Sequence, residues 1–174
     1  MYFGNLHKWL FVPKSAAFLY VRRDHQLPHI PAPACVDNPE TQTFTDRYIW
    51  TGTRDRTAYC AIADAITFRE SLGGEAAIMN YTRSLALAGG HVLVGNWSTR
   101  LLGPDSMASS MVSVQVPTDN TTACGVVAGL LRSRYNYYMP ASVALDAAHG
   151  DIACYWRLSA QVCAGVSVRL CLFL

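Results

Sequence analysis

Three side chains in this sequence have the type and setting to do chemistry: a lysine near the start, a threonine behind a glycine, and an arginine near the end. Lys8 lies between His7 and Trp9, just ahead of a Pro13-Lys14 turn. An amine attacks only when unprotonated, so a nucleophilic lysine needs apolar neighbours that disfavour the ammonium form. Leu6, Trp9, Leu10, Phe11 and Val12 could supply them. The plainer reading is a solvated ammonium head on an apolar stem. Thr53 follows Gly52 and precedes a predicted helix, whose first N–H groups and dipole would favour an oxyanion or a phosphate. Equally, Thr53 or Asp55 is the N-cap of that helix and nothing more. Arg157 ends a predicted strand, where a planar guanidinium can clasp a carboxylate through two parallel hydrogen bonds. A surface arginine solvating the strand end is the alternative.

The words around these residues add a second line of argument. The segment GNLHKWLFVPKSAAFLYVRRD, Gly4 to Asp24, resembles the Schiff-base lysine segment of class V aminotransferase-like enzymes that use pyridoxal phosphate (PLP). Within that class it is most similar to the isopenicillin N epimerase-like branch, which includes cysteine desulfhydrase and other carbon–sulfur lyases. The resemblance implies that Lys8 carries PLP as an imine and that His7 and Asn5 contact its phosphate. Asn5 stands where a serine or threonine is common, and Ser15 where the family often has glycine. Gly52-Thr53-Arg54-Asp55 matches the GTRD form of the same branch, which implies that Thr53 reaches the PLP phosphate of the other subunit in a homodimer. Trp156 to Gln161 resembles the family's terminal strand, whose arginine, here Arg157, binds the substrate's α-carboxylate. Beyond Gln161 the match ends, with Cys163-Ala164 in place of the common Tyr-Asn.

The elements that must position these residues follow from periodicity and punctuation. Residues 16 to 23 read as a strand, since aromatic and β-branched residues cluster there and then give way to charge. Pro28, Pro31, Pro33 and Pro39 around Cys35 predict a loop. Apolar residues at helical spacing predict a helix from Arg56 to Leu72, ended by Gly73-Gly74. A second helix runs from Glu75 to about Ala88, or on toward Trp97 if Gly89-Gly90 does not interrupt it. Met111, Val112, Val114 and Val116 shift to period two and predict a strand closed by Pro117. Asp119 to Arg132 reads as an N-capped helix, and residues 141 to 146 and 151 to 158 as a hairpin across His149-Gly150-Asp151. The alternation suggests a small α+β layer. With the resemblance, the expected fold is α/β: residues 1-88 as the remainder of a fold type I PLP-binding large domain and 89-174 as a small α+β C-terminal domain. The usual N-terminal half of that fold is expected to be missing, and with it the aspartate for the pyridine nitrogen and the group stacked on the ring.

Composition bounds the alternatives. In 174 residues, 51% are hydrophobic and 15% charged, so a buried core is affordable and global disorder is excluded. The net charge of +2 comes from scattered basic residues, which argues against a nucleic-acid binder. Six cysteines, Cys35, Cys60, Cys124, Cys154, Cys163 and Cys171, show no CxxC spacing, so no metal site and a reduced, buried set are expected. No secretory signal or membrane-length apolar run is visible, and the expected location is the cytoplasm. The expected function is PLP chemistry at the α-carbon of an amino acid, with epimerisation, C–S lysis or desulfhydration, and transamination all open and cysteine a candidate substrate. The alternative is a non-catalytic remnant that keeps only folding or association capacity.

Overall fold

The computed structural model describes residues 1–26, 43–49, 52–118, 120–136, 141–146 and 149–162. The proline loop around Cys35, Trp50, Thr51, Asp119 and the stretch from Cys163 to Leu174 lie outside the described residues. The chain divides into two compact units, Met1–Leu72 and Gly73–Leu174.

The first unit begins with an antiparallel hairpin of β1 (Tyr2–Asn5) and β2 (Ala17–Tyr20), in the register Tyr2↔Tyr20 to Asn5↔Ala17. Between them sits a single helical turn, α1 (Leu6–Trp9), and the Pro13-Lys14 turn. A short α2 (Asp46–Ile49) follows. The predicted 56–72 helix is then broken into α3 (Thr57–Cys60) and α4 (Ile62–Ser71) at Ala61, whose φ of −82° and ψ of 1° interrupt the α geometry. A small core gathers Val12, Ala16, Ala58 and Ala65, with Leu6, Leu10, Tyr59 and Ile62 packed around it. The lysine turn is therefore seated on α3 and α4. Arg69, itself buried, donates from Nη1 to the Trp9 carbonyl at 2.5 Å and lies over the Phe11 ring at 5.0 Å.

In the second unit α5 (Gly74–Trp97) runs unbroken through Gly89-Gly90. The glycines do not interrupt it because they serve packing. A Cβ on Gly90 would stand 3.0 Å from Val112 Cγ2 and 3.1 Å from Leu101 Cδ2, so the absence of a side chain lets α5 approach the sheet closely. That sheet has three antiparallel strands in the order β3 (Met111–Gln115), β5 (Asp151–Ser159), β4 (Ala141–Asp146). The predicted hairpin and strand are all present, with Asp146 opposite Asp151 and Met111 opposite Ser159. Strand alternation puts Val112, Val114, Trp156 and Leu158 on one face, where they pack in two clusters with residues of α5 and of α6 (Thr121–Tyr135). Asn120 caps α6 by accepting from the Thr122 N–H at 2.9 Å, as the predicted N-capped helix requires. Trp97 meets Trp156 edge to face at 5.3 Å.

The cysteines depart from the reduced set expected of them. Cys124 on α6 and Cys154 on β5 form a disulfide. Both are buried in the cluster that joins helix to sheet, and a pair 30 residues apart carries no spacing signal in the sequence. Cys60 is a free, exposed thiol rather than a buried one. Cys35, Cys163 and Cys171 lie outside the described residues.

Candidate active site

Asn5, His7 and Lys8 come together at the end of β1 and in α1. Asn5 closes the hairpin opposite Ala17, and Leu6 starts the turn with its N–H on the Ala16 carbonyl at 3.0 Å. The same carbonyl fixes His7, whose Nδ1 lies 3.0 Å from it. A carbonyl only accepts, so Nδ1 carries the hydrogen, and Nε2 can donate to a ligand only when it carries one as well. Lys8 is exposed. Its apolar neighbours Leu6 and Leu10 turn inward onto Val12, Ala16 and Ala58, so within this chain they anchor the turn rather than desolvate the amine. Downstream, Phe11 and Ser15 adopt φ of 67° and 89°. Ser15 therefore occupies a left-handed position that glycine takes without strain.

Thr53 and its neighbours are also in the first unit. Gly52 has φ of 93°, a conformation that favours glycine, and Thr53 next to it is exposed. The N-cap of α3 is Arg56, neither Thr53 nor Asp55, but Asp55 still serves the start of that helix. Its Oδ1 accepts from the Thr57 hydroxyl at 2.7 Å and the Thr57 N–H at 2.8 Å, at the start of α3. These bonds, the hydroxyl's first, hold the Asp55 carboxyl below its ordinary range. Arg157 stands in the second unit on β5, opposite Ser113. It is exposed between the buried Trp156 and Leu158, so it projects from the face opposite α5 and α6. The first unit brings Asn5, His7 and Lys8 together. Thr53 belongs to the same unit on a separate loop, and Arg157 to the other unit.

The sequence reading missed Arg69. It closes the lysine turn from below by binding the last carbonyl of α1, and its only sequence signal was a cation inside an otherwise mixed helical stretch. The donor types fit PLP at two of its ends. An exposed primary amine suits the aldehyde, and a fixed imidazole with a neighbouring amide suits the phosphate. The carboxylates of Asp24, Asp46 and Asp55 are engaged by Arg22, Thr43 and Thr57, so the partner for a pyridinium nitrogen is not drawn from them. Among the described residues no group of three or more His, Cys, Asp or Glu could hold a metal ion, and no helix is long and apolar enough to cross a membrane.

No family model matches the chain. Curated relatives do. The chain is 33% identical over 119 residues to a probable chloroplastic L-cysteine desulfhydrase of Arabidopsis thaliana, covering 67% of this chain and 25% of the relative. It is 32% identical over 125 residues to a hercynylcysteine sulfoxide lyase of Schizosaccharomyces pombe, 68% of this chain and 32% of the relative. It is 27% identical over 175 residues to a second Arabidopsis thaliana protein, an L-cysteine desulfhydrase, 92% of this chain and 38% of that one. The chain thus spans about a quarter to two fifths of the length of these relatives. Its mixed α/β fold, its lysine turn and these relatives together place it in the PLP-dependent, class V aminotransferase-like family of the L-cysteine desulfhydrases.

Proposed function

We propose that this chain is the lysine-bearing portion of a PLP-dependent carbon–sulfur lyase acting on a cysteine-like amino acid. In this reading the first unit belongs to the large domain of a fold type I enzyme and the second to its small C-terminal domain. The observation that carries it is the lysine turn itself: Lys8 exposed, His7 locked onto the Ala16 carbonyl, and the end of α1 held by Arg69. Relatives named as desulfhydrases and as a lyase favour C–S bond cleavage over epimerisation or transamination.

Bound PLP supplies an electron sink for charge developing at the α-carbon. Lys8 Nζ is the amine that would hold its aldehyde and, once free and unprotonated, takes the α-proton. That sink would allow a thiolate to leave the β-carbon. The Asn5 amide would donate to the phosphate, His7 would do so from Nε2 only with that nitrogen carrying a hydrogen as well as Nδ1, and Thr53 would do so for the partner copy in a homodimer. Arg157 would clasp the α-carboxylate and so set which bond is aligned to break.

The second reading, a non-catalytic remnant, is favoured by the exposure of Lys8. Grafting this chain into the Arabidopsis L-cysteine desulfhydrase in place of its matched region, and measuring sulfide released from L-cysteine, separates the two. Sulfide release that Lys8→Ala lowers at least a hundredfold supports the lyase. A folded graft that releases none supports the remnant.

A further inference from the structure

Lys8 is carried on a single helical turn, and such a turn does not hold its shape alone in water. Its end is closed by the Leu10 N–H, which donates to the Leu6 carbonyl at 3.2 Å. Leu10 is the C-cap, and the next residue, Phe11, has φ of 67°. Helices commonly end on glycine at that position, because a side chain in the left-handed conformation crowds its own backbone. A phenylalanine stays there only if its surroundings over-determine it. Those surroundings come from α4. Arg69 Nη1 donates to the Trp9 carbonyl at 2.5 Å, across 60 residues of sequence, and so satisfies one of the carbonyls that a helix end leaves without an intrahelical partner. The same guanidinium lies over the Phe11 ring at 5.0 Å, and Phe68 meets that ring edge-on at 6.0 Å. Arg69 is buried, so these contacts are shielded from water.

We propose that Phe11 and Arg69 are positioning residues for Lys8: Arg69 offsets the cost of the left-handed Phe11, and together they fix the turn that carries the amine. The inference rests on the reading of Lys8 as the amine that takes PLP, and adds what holds that amine in place. Both residues act through the backbone of α1 and not on the reacting atoms. One consequence separates this role from ordinary packing. Glycine adopts the left-handed conformation freely, so Phe11→Gly makes the turn independent of Arg69, whereas a residue needed only for its packing is made worse by loss of its ring.

The test compares the full wild-type chain with Arg69→Met, Arg69→Lys, Phe11→Gly and the Phe11→Gly, Arg69→Met pair. Methionine keeps apolar contact with Phe11 and removes the donor. Backbone carbon shifts at Lys8 and Trp9, measured by NMR without PLP, report the turn. The ratio of borohydride-reduced PLP adduct on Lys8 to that on Lys14 reports placement of the amine. In Arg69→Met the shifts are expected to lose their helical values and the ratio to fall about fivefold, the worth of one hydrogen bond. Arg69→Lys, which still carries a donor, falls less. With Phe11→Gly present, Arg69→Met is expected to leave the turn and the ratio within about twofold of wild type. Phe11→Gly alone keeps Arg69 and tests the proposal even where Arg69→Met does not fold: retention of the turn supports it, and loss of the turn overturns it. Unchanged shifts in a folded Arg69→Met, or a further loss on adding Phe11→Gly to it, also overturn it. A wild type labelled no more at Lys8 than at Lys14 overturns the lyase reading instead, and the shifts then decide the role of Phe11 and Arg69 by themselves.

Discussion

The unit that carries the candidate chemistry and the unit that follows it are built to different standards of closure. From Gly73 onward, a three-stranded sheet packs one face on two helices and is cross-linked through Cys124–Cys154. Tyr155, Leu158, Val114 and Cys154 are at most 1% exposed there. Among the described residues, the core cluster of the lysine unit has four buried apolar residues, three of them alanines. Its hairpin buries nothing: Tyr2, Phe3, Phe18, Leu19 and Tyr20 are all exposed, and alternation puts them on both faces. A strand with apolar residues on both faces has the character of a sheet interior covered on both sides. Lys8, the candidate amine, sits in the less closed unit.

The comparison can be broken by mutation. Leu158→Ala, at 1% exposure in the tightly packed sheet, is expected to cost about 3–4 kcal/mol, read as a fall in the urea midpoint. Replacing Cys124 by alanine removes a cross-link over 30 residues and should cost about 3 kcal/mol, with thiol titration under denaturant showing one more free sulfur. In the lysine unit the largest single effect expected is smaller. Arg69→Ala removes the Trp9 carbonyl contact and the stack on Phe11, about 2 kcal/mol by the same measurement. A loss at Arg69 larger than that at Leu158 would reverse the ranking of the two units. The smallest change is a gain. Ser15→Gly relieves the left-handed backbone at φ 89° and should raise stability by about 1 kcal/mol.

What could be read ahead of the structure was what short-range physics controls. The β4–β5 hairpin, the strand from Met111 and the Asn120-capped helix are local patterns, set by alternation, a turn glycine and a capping side chain within a few residues. Continuation of α5 through Gly89-Gly90 was left open, because the reason for it is the approach of Val112 and Leu101, more than ten residues away. The break at Ala61 is likewise invisible in the apolar spacing, which reads through it. The pairing of Cys124 with Cys154 and the anchoring of Trp9 by Arg69 are long-range contacts with no local trace. At the site, the family wording pointed to Asn5, His7 and Lys8, which fall at the end of β1 and in α1. The inference from apolar neighbours to a desolvated amine missed because it assumed that residues adjacent in sequence surround the amine, whereas they pack beneath it.

The most direct measurement of the central claim uses the two lysines the chain has, Lys8 and Lys14. The purified chain is incubated with PLP, reduced with borohydride, and digested, and the modified residue is located by mass spectrometry. The account predicts a reduced adduct on Lys8, suppressed in Lys8→Ala and not transferred to Lys14. Equal labelling of Lys8 and Lys14, or an adduct confined to Lys14 and the amino terminus, would contradict it.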